Sequence, residues 1–216
     1  MKPIVISVAI IMSLFLISAP ALADSLFEVV ADSTLNGNAG FVLKISEPGE
    51  GGVSLFIFEE AGKYRAYAER EFGSSVWDVL PGQQYLTPTT SMNISDSWRF
   101  VDEDNGDATT ATVAALEMIT TPAGTFSCYK VDVAVDNNPS VVVFSVWFSS
   151  GVGLVRQIDY FDNGTPAFFQ EDLQSFSILG GTSFLPFFVG NTWSYIDIAT
   201  PVQETTWGAI KAKYKD

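Results

Sequence analysis

The acidic segment 102–107 holds the densest group of side chains that could bind a cation. It reads Asp-Glu-Asp-Asn-Gly-Asp, and the candidate Ca²⁺ ligands are Asp102, Asp104 and Asp107. In an EF-hand loop glycine stands sixth and a bidentate Glu twelfth, whereas Gly106 is one position early and no Glu stands twelfth. A solvated hairpin tip is the competing interpretation, because Asn-Gly and Asp-rich sequences favour tight turns. We therefore expect no cofactor and no resident metal.

The side chains that most nucleophilic and metal chemistry requires are missing from the sequence. There is no histidine, which excludes Ser-His-Asp and Cys-His activation and imidazole metal sites. Cys128 is the single cysteine, so neither a CxxC redox pair nor an intramolecular disulfide can form. Such a thiol could pair between molecules, but we favour a buried cysteine in a strand. Paired carboxylates leave hydrolysis as a third functional hypothesis, yet no pair is singled out, and we predict that the protein is not an enzyme.

Large apolar side chains give the strongest positive indication of a function. The segment 182–189 reads TSFLPFFV, a composition that suits an apolar lid, an exposed binding patch or a buried corner. The sequence leaves open whether this segment is core or contact surface. The candidate lining residues of an apolar ligand site are Trp98, Phe144, Trp147, Phe187, Phe188 and Trp193.

Strands must position these side chains, because no window of ten or more residues has a convincing helical period. Predicted strands cover 26–31, 40–46, 53–58, 63–69, 110–119, 125–135, 141–148, 152–161, 167–178, 193–198 and 205–212. Two of them carry apolar residues on both faces, over 55–58 within the strand 53–58 and over 141–148. A sheet with one wet face would alternate more cleanly, so the pattern favours a curved sheet that covers something on its concave side. We predict an all-β fold with a mostly antiparallel curved sheet, as an open or half β-barrel or, alternatively, a two-layer β-sandwich.

Two segments of the chain echo each other. Residues 85–100 and 184–195 both begin with an aromatic residue and Leu, contain a nearby proline, and carry a tryptophan followed two residues later by an aromatic. A duplicated half-domain and chance similarity in an aromatic-rich chain are both compatible with this echo. We predict a single β-rich domain over 24–216, with two similar halves meeting near 100–120 as one possibility.

The blocks TPAGTFSCYKV and GVGLV, together with FLPFFVGNTWSY, resemble a pattern in exported bacterial proteins of unknown function related to the DUF3108 and TapB-like families. The matching residues of the first two blocks are Pro122, Ala123, Gly124, Thr125, Phe126, Cys128, Tyr129 and Lys130, then Gly151, Val152, Gly153, Leu154 and Val155. Those of the third block are Pro186, Gly190, Trp193 and Tyr195.

This resemblance covers about 90–200 of the chain and departs from the family pattern in order. The third block is expected before the first, but here the clear copy follows it, and the preceding copy has Ser95 where the glycine would fall. The resemblance implies an exported, β-rich, open or half-barrel fold with a likeness to lipoprotein-carrier proteins. It brings no catalytic residues.

The N-terminus and the net charge indicate where the protein works. Residues 1–23 read as a signal peptide, with Lys2, an apolar run too short for the roughly 20 residues of a membrane span, and Ala21-Leu22-Ala23 before the cut. We expect export to the periplasm or beyond, with no stable membrane span after cleavage. A formal net charge of −14 excludes nucleic acid as a partner.

Three functional hypotheses follow from the sequence. The leading one is a non-enzymatic binder of an apolar ligand, a lipid or acyl chain, held in a concave β-sheet. The alternative is an interaction or structural module that packs its core fully and engages an envelope protein through its acidic surface or an edge strand. The third is the carboxylate-dependent hydrolase.

Overall fold

The computed structural model describes residues 25–47, 51–101, 108–136, 139–160 and 167–198. The predicted signal peptide, the calcium candidates Asp102, Asp104 and Asp107, and the predicted strand 205–212 lie outside the described residues. Within them the chain forms twelve strands. These are β1 (Ser25–Leu35), β2 (Asn38–Glu47), β3 (Gly51–Glu60), β4 (Lys63–Glu71), β5 (Asp78–Pro88), β6 (Ser97–Val101), β7 (Ala108–Thr121), β8 (Gly124–Val135), β9 (Val142–Ser149), β10 (Gly153–Tyr160), β11 (Ala167–Ser177) and β12 (Thr192–Asp197).

All twelve strands belong to one antiparallel sheet in which each strand pairs with its neighbours in sequence. The sheet curls until β1 lies between β2 and β12, so the pairings run round a ring. The ring is weakest between β5 and β6, where Gln83 opposite Val101 is the one matched pair among the described residues. The sheet is therefore open along this β5–β6 seam rather than closed over its full length. The prediction of an all-β, antiparallel, curved and open sheet is confirmed, and the sandwich alternative is not formed.

β-bulges help to curve the sheet, because an extra residue in one strand bends it and increases its twist. Register shifts interrupt the β1–β2 pairing between Val29 and Ala31 and the β7–β8 pairing between Val113 and Ala115. Tight turns close the hairpins. Asn36 and Gly37 both have positive φ, 51° and 85°, as a two-residue turn between β1 and β2 requires.

The sequence prediction missed β5 and β6. β5 contains Pro81, Gly82 and Pro88, residues that remove ladder donors or weaken a strand and that argue against strand in a sequence reading. The structure accommodates them next to the irregular pairing with β4, which shifts register between Ala66 and Ala68. β6 is five residues long and too short for a clear alternating pattern.

Cross-strand register defines two faces of the sheet. Trp193 lies opposite Phe27 and Phe27 opposite Ile45, and directly opposed residues share a face, which we call the inner face. Its apolar residues form two clusters, the first around Phe27 and Ile45 and the second around Trp98 and the valines of β7 and β8.

The outer face of β2 to β4 is also apolar. Val42, Phe56, Phe58 and Ala68 form a third cluster there, covered by Tyr67 and Trp77. This cluster accounts for the predicted two-sided pattern of 55–58. None of the described residues form a helix long and apolar enough to cross a membrane.

Candidate functional site

The connection from β11 to β12, residues 178–191, runs across the inner face, and we call it the plug loop. At one end the ring of Phe187 stacks on Phe41 of β2, with centroids 6.0 Å apart, and meets the ring of Tyr64 of β4 edge-on at 4.8 Å. Tyr64 also shares a hydrogen bond with Ser183, with 3.2 Å between the hydroxyl oxygens. The plug loop is therefore attached to the β2–β4 wall.

At its other end the plug loop reaches β8 and β9. The ring of Phe184 meets Tyr129 edge-on at 5.5 Å. Phe184 is buried in the second cluster, Phe187 in the first, and Leu185 packs against both. Because β2 and β8 are separated by five strands around the ring, the loop spans the interior. Phe184 and Phe187 fill the apolar space between the walls.

Asn191 holds the plug loop in shape. This side chain is fully buried, and its Oδ1 accepts hydrogen bonds from the backbone N–H of Leu179 at 2.7 Å and of Gly180 at 3.4 Å. Its Nδ2 donates to the carbonyl oxygen of Gly180 at 2.8 Å and to that of Pro186. Four backbone groups that the loop would otherwise bury without partners are satisfied by one side chain.

The plug loop has an opposite, exposed side. Leu179 is 67% exposed, Phe188 49% and Val189 38%. The Phe188 ring lies against Gly180, where an added Cβ would be 2.9 Å from the ring. The predicted aromatic segment 182–189 is thus divided between core and surface, with Phe184 and Phe187 inside and Phe188 outside.

A broad, open depression lies at the hairpin that joins β1 to β2. Its volume is about 670 Å³, and it is lined by Asp32, Ser33, Thr34, Ala39, Gly40 and Phe41. Phe41 both lines this depression and stacks on Phe187 of the plug loop.

The six predicted lining residues are not all brought together. Trp98 and Phe144 belong to the second inner cluster, and Phe187 and Trp193 to the first. Trp147 is also buried in the first cluster, although its register partner on β8 is Lys130, and its Nε1 donates to Glu117. Phe188 is exposed on the plug. The sequence did not identify Phe41, Tyr64, Met92 and Phe184, which contribute to the inner surface through strand register or loop path.

Two aromatic side chains of β12 are fastened to the start of β10. Trp193 Nε1 donates to the carbonyl oxygen of Val152, and the Tyr195 hydroxyl donates to that of Leu154 at 3.0 Å. Both bonds pass over β11, which is possible because the inner face is concave. Trp98, by contrast, is 6% exposed, and its Nε1 has no acceptor in the part of the chain that the structure describes.

The inner face also carries buried polar side chains on β10 and β11. Asp159 is 5% exposed and accepts a hydrogen bond from Gln157 Nε2 at 3.1 Å. Burial raises the pKa of Asp159 to about 7, while the bond from Gln157 lowers it. Ser25 donates to Glu171 Oε1 at 2.8 Å. No group of three His, Cys, Asp or Glu side chains able to hold a metal occurs among the described residues.

Cys128 is fully buried, as the sequence predicts. Burial and the neighbouring Glu117 raise the pKa of its thiol to about 12, against the opposing effect of Arg156. A thiol with such a pKa stays protonated at neutral pH and is a poor nucleophile. Packing in the core is therefore sufficient to explain a cysteine at this position.

The similarity of this chain to a known protein family lies in the middle of the sequence. Residues 78–167 match the family model described as DUF3108-like. The match begins with β5 and ends at the first residue of β11, so it includes 121–131 and 151–155 but not 184–195. No curated protein and no solved structure matches the chain. The TapB-like likeness stays a prediction. The match supports the predicted relation of residues 78–167 to the DUF3108 families, and the details of the motifs stay a prediction.

Proposed function

We propose that the protein is an exported, non-enzymatic binder of an apolar ligand, a lipid or acyl chain, which it holds on the inner face of the sheet. The observation that carries this proposal is the plug loop. Its phenylalanines Phe184 and Phe187 occupy the apolar space between the β2–β4 wall and the β8 wall. An acyl chain has the same apolar character and takes their place when the loop moves outward.

The exchange is energetically reasonable. Each buried CH₂ group of a ligand contributes about 0.8 kcal/mol, so a long acyl chain exceeds what two displaced phenylalanine rings lose, roughly 3 kcal/mol each at most. Phe188, Leu179 and Val189 are already exposed with the loop in place, so moving the loop outward adds little to their exposed apolar area. The depression beside Phe41 offers the first binding surface to a chain end.

Native mass spectrometry of the mature protein, purified from its own host, tests the proposal. We expect a bound apolar molecule that organic solvent removes. A fluorescent fatty acid ester is then titrated into the emptied protein. Its uptake supports the proposal, while a wild-type protein that neither carries nor takes up an acyl compound contradicts it.

A matched pair of variants assigns the binding to the inner face. Phe187→Ala removes a built-in occupant, and we expect tighter binding of the probe than in the wild type. Phe188→Ala makes the same chemical change one residue away on the exposed side, where we expect wild-type affinity. Equal effects of the two substitutions would place the probe on the surface of the plug loop and contradict the proposal.

A second candidate function is favoured by the exposed side of the plug loop. Leu179, Phe188 and Val189 form an apolar surface on an otherwise acidic protein, of the kind that marks contact sites for other proteins. In that case an envelope protein would bind there. Loss of a stoichiometric partner in Phe188→Ala, together with failure of the acyl probe to bind, would favour this function over the first.

A further inference from the structure

The indole N–H of Trp98 is the one tryptophan donor that the structure shows buried and unsatisfied within the described residues. Trp147 and Trp193, also buried, both donate, to Glu117 and to the carbonyl oxygen of Val152. Buried polar groups in native proteins nearly always have partners, and an exception calls for a physical explanation. An acceptor that arrives with a ligand is such an explanation.

The surroundings of Trp98 restrict what that acceptor can be. Its cluster consists of apolar side chains, among them Met92, Val113 and Phe184. A single neutral donor in an apolar setting cannot compensate the desolvation of an ionised carboxylate. A neutral carbonyl oxygen requires only one hydrogen bond to be satisfied.

A carboxylate bonded to Tyr85 also disfavours an anion. Tyr85 packs against the same cluster, and its hydroxyl donates to Glu60 Oε2 at 2.8 Å. The same Glu60 carboxylate oxygen already forms a salt bridge with Arg65, with Nη1 at 3.0 Å. A ligand carboxylate near Tyr85 would therefore approach a carboxylate whose arginine is engaged.

We propose that Trp98 Nε1 donates a hydrogen bond to the neutral carbonyl oxygen of an acyl ester or amide, and this rests on the binding of an acyl chain proposed above. Phe184 of the plug lies in the same cluster as Trp98, so a chain that replaces the plug from Phe187 to Phe184 ends beside this indole. Trp98 is on β6, next to the seam with β5. The head of the ligand leaves the protein through this weakly paired seam.

Affinities of the solvent-extracted protein for three probes test the assignment. They are a long-chain fatty acid methyl ester, the alkane of equal length, and the free acid at a pH where it is ionised. We expect the ester to bind about five- to tenfold more tightly than the alkane, the usual size of one net hydrogen bond. The ionised acid should bind more weakly than the ester.

Trp98→Phe removes the donor and keeps an aromatic ring. We expect this variant to bind ester and alkane equally, while Trp77→Phe, which alters an indole on the outer face, keeps the ester preference. If Trp98→Phe retains that preference, the assignment to Trp98 is wrong although acyl binding stands. If the wild type binds none of the three probes, the proposed function fails and the site with it.

Indole ¹H–¹⁵N spectra give a readout that does not depend on affinity. The Trp98 signal is identified by its absence from the spectrum of Trp98→Phe. We expect the methyl ester to shift its N–H proton downfield, and the alkane to leave the proton close to its position in the free protein. An ester that binds without moving this signal would overturn the proposal.

Discussion

Two loop–strand units, 92–98 and 187–193, have the same backbone geometry in different parts of the ring. In the first unit Ser95 has φ of 78°, and its N–H donates to the carbonyl oxygen of Val113 at 2.8 Å. Val113 returns a hydrogen bond to the carbonyl oxygen of Asp96 at 2.9 Å. The loop is thereby tied to the strand that follows β6 in the ring.

The second unit repeats each of these features. Gly190 has φ of 91°, and its N–H donates to the carbonyl oxygen of Val29 at 2.8 Å. Val29 donates to the carbonyl oxygen of Asn191 at 2.9 Å. In both units a β-bulge follows the valine. These matched contacts support the prediction of two similar halves, which remains a prediction.

The units differ in how firmly they are closed. Within the described part of the chain, β12 pairs with β11 over six residue pairs, whereas β6 pairs with β5 at one. Trp193 has an acceptor, whereas Trp98 has none among the described residues. The same backbone arrangement therefore precedes a strand that is well paired on both sides in the second unit, and a strand that is weakly paired on one side in the first. This difference is why we assign ligand access to the β5–β6 seam.

The largest expected contrast between the units concerns the side chain after the positive-φ residue. Asn191→Ala leaves four backbone groups of the plug loop without their partner, and we expect a loss of more than about 3 kcal/mol in unfolding free energy. Asp96→Ala removes only exposed bonds from Asn93, at about 1 kcal/mol. Urea unfolding of both variants measures the contrast, and equal losses would mean that the two loops are equally anchored.

The next contrast is in the pH dependence of stability. Burial raises the pKa of Asp159 from 3.8 to about 7, so the folded protein keeps a proton that the unfolded chain releases. Stability therefore falls as pH rises from about 4 to about 7 and levels off above that, with each pKa unit worth about 1.4 kcal/mol. We expect Asp159→Asn to abolish most of this fall and to be more stable than the wild type at neutral pH.

Glu69 of β4 is the control for that experiment. Its pKa is also raised, by burial and then by the neighbouring Asp78 and Glu71, but the side chain is only partly buried. Solvent screens such a group, so Glu69→Gln should change the pH profile less than Asp159→Asn. Thermal unfolding measured across the pH range compares the two variants, and a larger effect at Glu69 would contradict the burial assigned to Asp159.

The two buried indoles give a smaller contrast. Trp193→Phe leaves the carbonyl oxygen of Val152 without its donor, whereas Trp98→Phe removes a donor that has no partner among the residues described by the structure. Both substitutions lose similar apolar volume, so we expect Trp193→Phe to be the more destabilising by about 1–3 kcal/mol in the ligand-free protein. Equal destabilisation in guanidinium unfolding would show that Trp98 Nε1 is satisfied in solution.

Sequence reasoning reached the fold and one part of the candidate site. Strand alternation and two-sided apolar runs predicted the curved sheet, and the echo drew attention to both Trp98 and Trp193. The plug was not predictable, because whether Phe187 or Phe188 points inward depends on the path of the loop between two distant walls. The sequence did contain a signal for Asn191, because an asparagine side chain in a turn often forms hydrogen bonds with nearby backbone groups. The unsatisfied state of Trp98 Nε1 depends on geometry alone.

The smallest expected effect separates the two positive-φ positions. A non-glycine residue in the left-handed region is strained by about 1–2 kcal/mol, so Ser95→Gly relieves strain but also increases the entropy of the unfolded chain. We expect a net stabilisation below about 1 kcal/mol. Gly190→Ala introduces the strain, and its Cβ would lie 2.8 Å from Leu179 Cδ1, so it should destabilise. Opposite signs in thermal unfolding support a shared backbone design, and a destabilising Ser95→Gly would show that the serine side chain, rather than its φ, matters in the first unit.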